Sequence, residues 1–178
     1  MPRATIPAMV STLRLTELTT CGGCAAKLGA DALAEALAGL AKRAPIALVG
    51  HDFGAMHGLL LASRHPSRFK AAVVIGATPR WGDWFLRFWR VSGDRFDYLR
   101  RLAPLDPIES ARSLTAPTLW QFSSRDYFIA PMSAVELARV APVDGEPRID
   151  WYTADHAMRS SKARAARKAF LLTELGLG

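Results

Sequence analysis

The chain has 178 residues, 50% of them hydrophobic and 22% charged, which is enough apolar material for one sizeable core and too much for a disordered chain. No apolar run approaches the ~18 residues a spanning helix needs, and Met1 to Leu13 lacks the charged start and continuous apolar stretch of an export signal, so the expectation is a cytoplasmic protein with no membrane partner. Cys21 and Cys24 are too few for a disulfide framework or a structural zinc site, and the net charge of +7 is interleaved with apolar residues rather than gathered in a recognition motif, which argues for a solvated basic surface and no nucleic-acid partner.

Two unlike parts divide the chain, a leader over 1–42 and a domain over 43–178. In the leader, Leu33, Leu37 and Leu40 recur at helical spacing behind a capping Asp31, which predicts a short amphipathic helix. After Pro45 the texture changes: Ile46 to Val49 is a short apolar run that meets Gly50-His51-Asp52-Phe53-Gly54, and Ala55 to Arg64 predicts a helix closed by His65-Pro66. Further buried strands are expected at Ala71 to Ile75, Thr118 to Phe122 and Ile149 to Tyr152, with helices from about Ser133 to Val140 and about Ser160 to Leu175. Alternation of this kind predicts an α/β chain, a mostly parallel sheet of about four strands with helices on both faces. The stretch 78–113, rich in Trp and Arg, interrupts the alternation and predicts a short helical cap insertion.

The segment Gly50 to Gly54 has the form G-x-nucleophile-x-G, in which a strand turns sharply into a helix and leaves the middle residue exposed at the strand end. Asp52 occupies that place, and the Phe53 backbone N–H stands where it can stabilise charge on an attacked group. These residues, with Asp126 after a later strand and His156 after the last, resemble the α/β-hydrolase superfamily over about residues 45–175, in its chain order of nucleophile, acid, histidine. An aspartate at the elbow resembles the branch containing epoxide hydrolases and haloalkane dehalogenases. The resemblance implies that Asp52 attacks an electrophilic carbon, that His156 activates the water hydrolysing the resulting ester, and that Asp126 orients His156. Phe53 stands where that branch usually carries a tryptophan donor, which points away from dehalogenation, and Tyr98 is the single cap tyrosine that could assist ring opening. Asp106 and Asp155 are alternative acids, whereas His51, His57 and His65 read as packing or helix-end residues. Trp81, Trp84, Phe85, Phe88 and Trp89 fall at helical spacings, a core-facing stripe that could also line a substrate site.

The leader resembles another family. Residues 14–40, with Cys21-Gly-Gly-Cys24-Ala-Ala-Lys27, are similar to the start of selenide, water dikinase, the selenophosphate synthase, which makes Cys24 and Lys27 the positions the resemblance marks for a reactive thiol and a phosphate contact. Nothing after Leu40 resembles the ATP-binding body of that enzyme, so the leader reads as a fused fragment. The hydrolase resemblance in turn covers the C-terminal half of its fold, without the strands that usually precede the elbow. The elbow strand is thereby expected at a sheet edge, where the leader, a second copy or another chain would have to cover it. The sequence therefore predicts a hydrolase of a small ester or epoxide that needs no cofactor or metal, with two alternatives: a selenophosphate synthase remnant, or an inactive half-domain that dimerises through the open edge.

Overall fold

A computed structural model of the chain describes residues 46–88, 93–142 and 145–177. Cys24, Lys27, the helix expected over 31–41 and Trp89 lie outside the described residues. Within them the strands are β1 (Ile46–His51), β2 (Phe69–Ile75), β3 (Thr118–Ser123) and β4 (Arg148–Tyr152), and all three neighbouring pairs run parallel in the order β1-β2-β3-β4. The helices are α1 (Phe53–Arg64), α2 (Trp81–Phe88), α3 (Arg95–Leu102), α4 (Pro107–Ala111), α5 (Pro131–Arg139) and α6 (Ser161–Glu174), with single 3-10 turns at Pro66–Arg68 and Ala103–Leu105.

Strand β2 reads as an almost unbroken apolar run because both faces of the sheet are covered there. Ala71 to Val74 are wholly buried in β2, the pattern of a parallel strand with helices on either side. Side chains alternate between the faces. Val74, Trp120 and Phe122 join one cluster with Met56 and Leu59 of α1, Ile108 of α4 and Leu137 of α5, while Val73, Ile75 and Leu119 join a second with Ala163 and Phe170 of α6. Buried Gln121 ties the second layer together, its Nε2 donating to the Ala163 carbonyl at 3.1 Å and to the Tyr152 hydroxyl at 3.3 Å.

The cap stretch is helical, but its last helix belongs to the main body. Pro107, Ile108, Ser110 and Ala111 of α4 are buried, and Ile108 and Ala111 lie in the same core cluster as the buried side chains of α1. The amide of Ile108 donates to the Pro79 carbonyl at 2.9 Å, which closes the cap stretch at its base. Among the described residues β1 pairs on one side only, with β2, and is an edge strand on which Val49 is half exposed. No helix among the described residues is long and apolar enough to cross a membrane.

Candidate active site

The turn from β1 into α1 is built on one close approach. A Cβ on Gly50 would lie 2.5 Å from the Ala55 Cα and 2.6 Å from the Gly54 carbonyl oxygen, so only a residue without a side chain lets the helix start so near the strand. Gly54 is different. A Cβ there would meet nothing within 4 Å, so the second glycine of the motif is not needed for space. Asp52 sits between them at φ 53 and ψ −124, a conformation rare outside glycine and held here by the bonds around it. Its amide donates to the Ile75 carbonyl at 2.9 Å, continuing the sheet, and its carbonyl accepts from Ala55 and Met56 at 2.9 and 3.0 Å, starting the helix. The Asp52 side chain is left at the C-terminal end of β1, and Phe53 supplies the first residue of α1.

Asp126 follows β3. One carboxylate oxygen accepts from the backbone amides of Phe128 and Ile129 at 2.8 and 3.1 Å, and the other accepts from His156 Nδ1 at 2.8 Å. Burial pushes its carboxyl up, but the hydrogen bonds from His156 and the two amides outweigh it and leave it below the ordinary aspartate value. The alternative acids are accounted for elsewhere. Asp106 accepts from the Trp81 amide at 2.9 Å and fixes the start of α2, and Asp155 is an exposed residue of the loop after β4.

His156 stands between two carboxylates. Its Nδ1 holds Asp126, and its Nε2 lies 3.7 Å from Asp52 Oδ2, too long for a direct hydrogen bond. That Nε2 is buried and has no hydrogen-bond partner among the described residues. Burial lowers the affinity of the ring for a proton, but the bond to Asp126 and the proximity of Asp52 more than reverse this, raising the pKa from 6.5 to about 9. At that value the ring keeps its proton around neutral pH, beside the carboxyl groups of Asp126 and Asp52.

Aromatic side chains wall the same place. Trp84 stacks on the His156 ring with centroids 5.5 Å apart and meets Phe128 edge-on at 4.6 Å, and Phe128 meets His156 at 4.9 Å. Phe53 packs against Trp84 at 5.4 Å and Trp81 at 6.0 Å. Trp81 and Trp84 of the sequence stripe are thus buried at the site face, and the Trp81 indole N–H donates to the Leu105 carbonyl at 2.8 Å. Tyr98 lies half-buried on α3. His57 contacts the Phe53 carbonyl at 2.8 Å and the Trp81 ring, and His65 is exposed at the end of α1. His51, which the sequence reads as a core or oxyanion-region packing residue, is exposed, and its Nε2 reaches the His156 carbonyl at 2.7 Å.

The fold recurs in known proteins. Residues 30–138 match the family described as the alpha/beta hydrolase fold. A search of curated protein sequences finds no match. Among solved structures, the esterase domain of a Rhodothermus marinus protein aligns with 80% of this chain and 66% of its own at 21% identity and a TM-score of 0.60. The acylaminoacyl peptidase of Pyrococcus horikoshii aligns with 81% of this chain and 27% of its own, at 20% identity and a TM-score of 0.63. The enol-lactonase of Burkholderia xenovorans LB400 aligns with 80% of this chain and 71% of its own, at 19% identity and a TM-score of 0.53. The chain spans just under two thirds of the esterase domain and about a quarter of the peptidase. With more than half of its residues inside the family match and its sheet order and elbow in place, the chain belongs to the α/β-hydrolase fold family.

Proposed function

We propose that the chain is a hydrolase of a small, uncharged, largely apolar epoxide or ester in which Asp52 attacks the electrophilic carbon and is left covalently bound, as an alkyl ester when an epoxide ring opens or as an acyl anhydride when an ester expels its alcohol. The observation that carries this reading is the position of His156, with Nδ1 2.8 Å from Asp126 and Nε2 3.7 Å from Asp52 on a positive-φ elbow. A carboxylate held in that way is a nucleophile toward carbon, and the histidine beside it serves the water step.

With an epoxide, an Asp52 oxygen attacks a ring carbon, the ring C–O bond breaks, and the alkoxide takes the Nε2 proton of the imidazolium. That transfer leaves His156 neutral. Loss of the Asp52 charge on alkylation also removes one of the two anions that raise the His156 pKa, so the ring becomes a competent base only once the intermediate exists. Nε2 then accepts a proton from water, the hydroxide adds to the Asp52 acyl carbon, and the ester C–O bond breaks to release the diol and regenerate the carboxylate. Asp126 holds the tautomer throughout and balances the imidazolium.

The aromatic wall of Phe53, Trp81, Trp84 and Phe128 fits an apolar substrate body. Phe53 has no donor, and the Trp81 N–H is committed to Leu105, so neither would stabilise a leaving halide. His156→Gln tests the reading. Exposed to a panel of small aryl and alkyl epoxides, that variant should gain the mass of one epoxide on the peptide carrying Asp52, because the ester forms slowly but lacks its base for hydrolysis. No adduct on any member of the panel, together with undiminished wild-type turnover in Asp52→Ala, would contradict it.

A further inference from the structure

The loop after β4 has to carry His156 across the top of the sheet. β4 lies three strands from β1, a span of about 14 Å at the usual strand spacing, and the loop is fastened along the way. Ser123 Oγ at the end of β3 donates to the Ala154 carbonyl, and Asp126 holds the His156 ring through one bond to Nδ1. Met158, at φ 50, is buried in the second core cluster and pins the far side of the loop. The bond at Nδ1 fixes the ring at one atom and does not by itself fix the height of the His156 backbone. The remaining fixed point is on β1: His51 Nε2 lies 2.7 Å from the His156 carbonyl oxygen, joining residues 105 positions apart in the chain.

A carbonyl can only accept, so the His51 ring carries its proton on Nε2 and donates it. His51 itself is the residue before Asp52, and the same backbone that presents the carboxylate therefore sets the height of the histidine loop. The two rings are 5.0 Å apart at their centroids, tilted by 40°. Gly76, at φ 55, runs beside both, so that a Cβ placed there would lie 3.6 Å from His156 Cε1 and 3.7 Å from His51 Nε2. Gly76, just past the end of β2, puts no side chain of its own against either ring.

We infer that His51 is a positioning residue, whose Nε2–H clamps the His156 main chain to the elbow and so sets the gap between His156 Nε2 and Asp52. The function of the clamp rests on the covalent reading above, while its existence does not. Ring faces are held by Trp84 and Phe128, but among the described residues only His51 ties the backbone of His156 to β1, whose end leads into Asp52. Slippage of about 1 Å at such a position costs on the order of 100-fold in rate.

The test compares His51→Gln, whose amide nitrogen reaches the place of Nε2, with His51→Asn, whose amide stops short, and with His51→Ala. The first readout is the His156 Nδ1 proton by NMR, which needs no substrate: its exchange with water should quicken about 10-fold or more in His51→Ala and His51→Asn and return to the wild-type rate in His51→Gln. The second is rapid-quench mass spectrometry with an epoxide that forms the adduct. Hydrolysis of the Asp52 ester should slow about 10- to 100-fold in His51→Ala and His51→Asn, so the adduct accumulates, with recovery in His51→Gln. If His51→Ala fails to fold, the Gln and Asn pair carries the comparison. Unchanged proton exchange in the Asn variant, or equal behaviour of Gln and Asn, would overturn the clamp. Altered exchange in enzyme whose His156→Gln form never gains an adduct would leave the clamp standing and remove the proposed reaction.

Discussion

His156 Nε2 and Asp52 Oδ2 face each other across 3.7 Å, and among the described residues Nε2 has no hydrogen-bond partner. The gap is wider than a hydrogen bond and narrower than a solvent channel, so each group feels the other's charge without being neutralised by it. An imidazolium is stable there while Asp52 is anionic and becomes less so when it is not.

The first prediction concerns pH. The His156 pKa is raised from 6.5 to about 9 in the folded chain, so the stabilisation it contributes is fully present below about pH 6.5 and is lost as pH rises through about 9. Discounted for partial solvent access, the effect is on the order of 2 kcal/mol, or roughly 4 to 8 °C in Tm for a domain of this size. Thermal melts of wild type should fall over that interval, and those of His156→Gln should stay flat. In the proposed reaction alkylation uses the imidazolium proton, so its rate should fall over the same upper range.

The two elbow glycines should behave in opposite ways. Gly50→Ala places a Cβ 2.5 Å from backbone atoms that cannot move without unpacking α1 from β1, and a loss of about 3 kcal/mol or more is expected. Gly54→Ala meets open space inside a helix, where alanine is favoured over glycine by about 0.5 to 1 kcal/mol. Chemical denaturation of both variants checks the pair.

Arg80 and Glu136 form a forked ion pair between the start of α2 and α5, with both side chains more than two-fifths exposed. Solvent screening limits such a pair to about 1 kcal/mol or less. Glu136→Gln should therefore leave the midpoint of unfolding almost unmoved, whereas Trp84→Ala, which removes a buried ring stacked on His156, should cost about 3 kcal/mol.

The fold was legible because its signals are local. A short β-branched run such as Ala71 to Ile75 reads as a strand covered on both faces, and Gly50 with Asp52 marks the turn between strand and helix in one short segment. Site features that depend on distant partners were not. Asp126, Asp106 and Asp155 all sit at turns, and only the approach of His156, 30 residues beyond Asp126, separates the first from the others. The bond from His51 to the His156 carbonyl spans 105 positions and uses a backbone acceptor, which leaves no trace in residue types. The tryptophan stripe had the periodicity of a core helix because Trp81 and Trp84 are buried, and what they are buried against is the site itself. The packing of α4 beneath α1 was hidden for the same reason, since Pro107 and Ile108 look alike whether they cap or support.

The central claim is that the reaction passes through an ester on Asp52, and a single turnover of an epoxide by excess enzyme in ¹⁸O-labelled water tests it most directly. Because hydroxide would add to the Asp52 acyl carbon, the label should appear in the peptide carrying Asp52 while the first diol released carries none. Label in the diol of that first turnover, with Asp52 unlabelled, would show water attacking the substrate itself and would contradict the account.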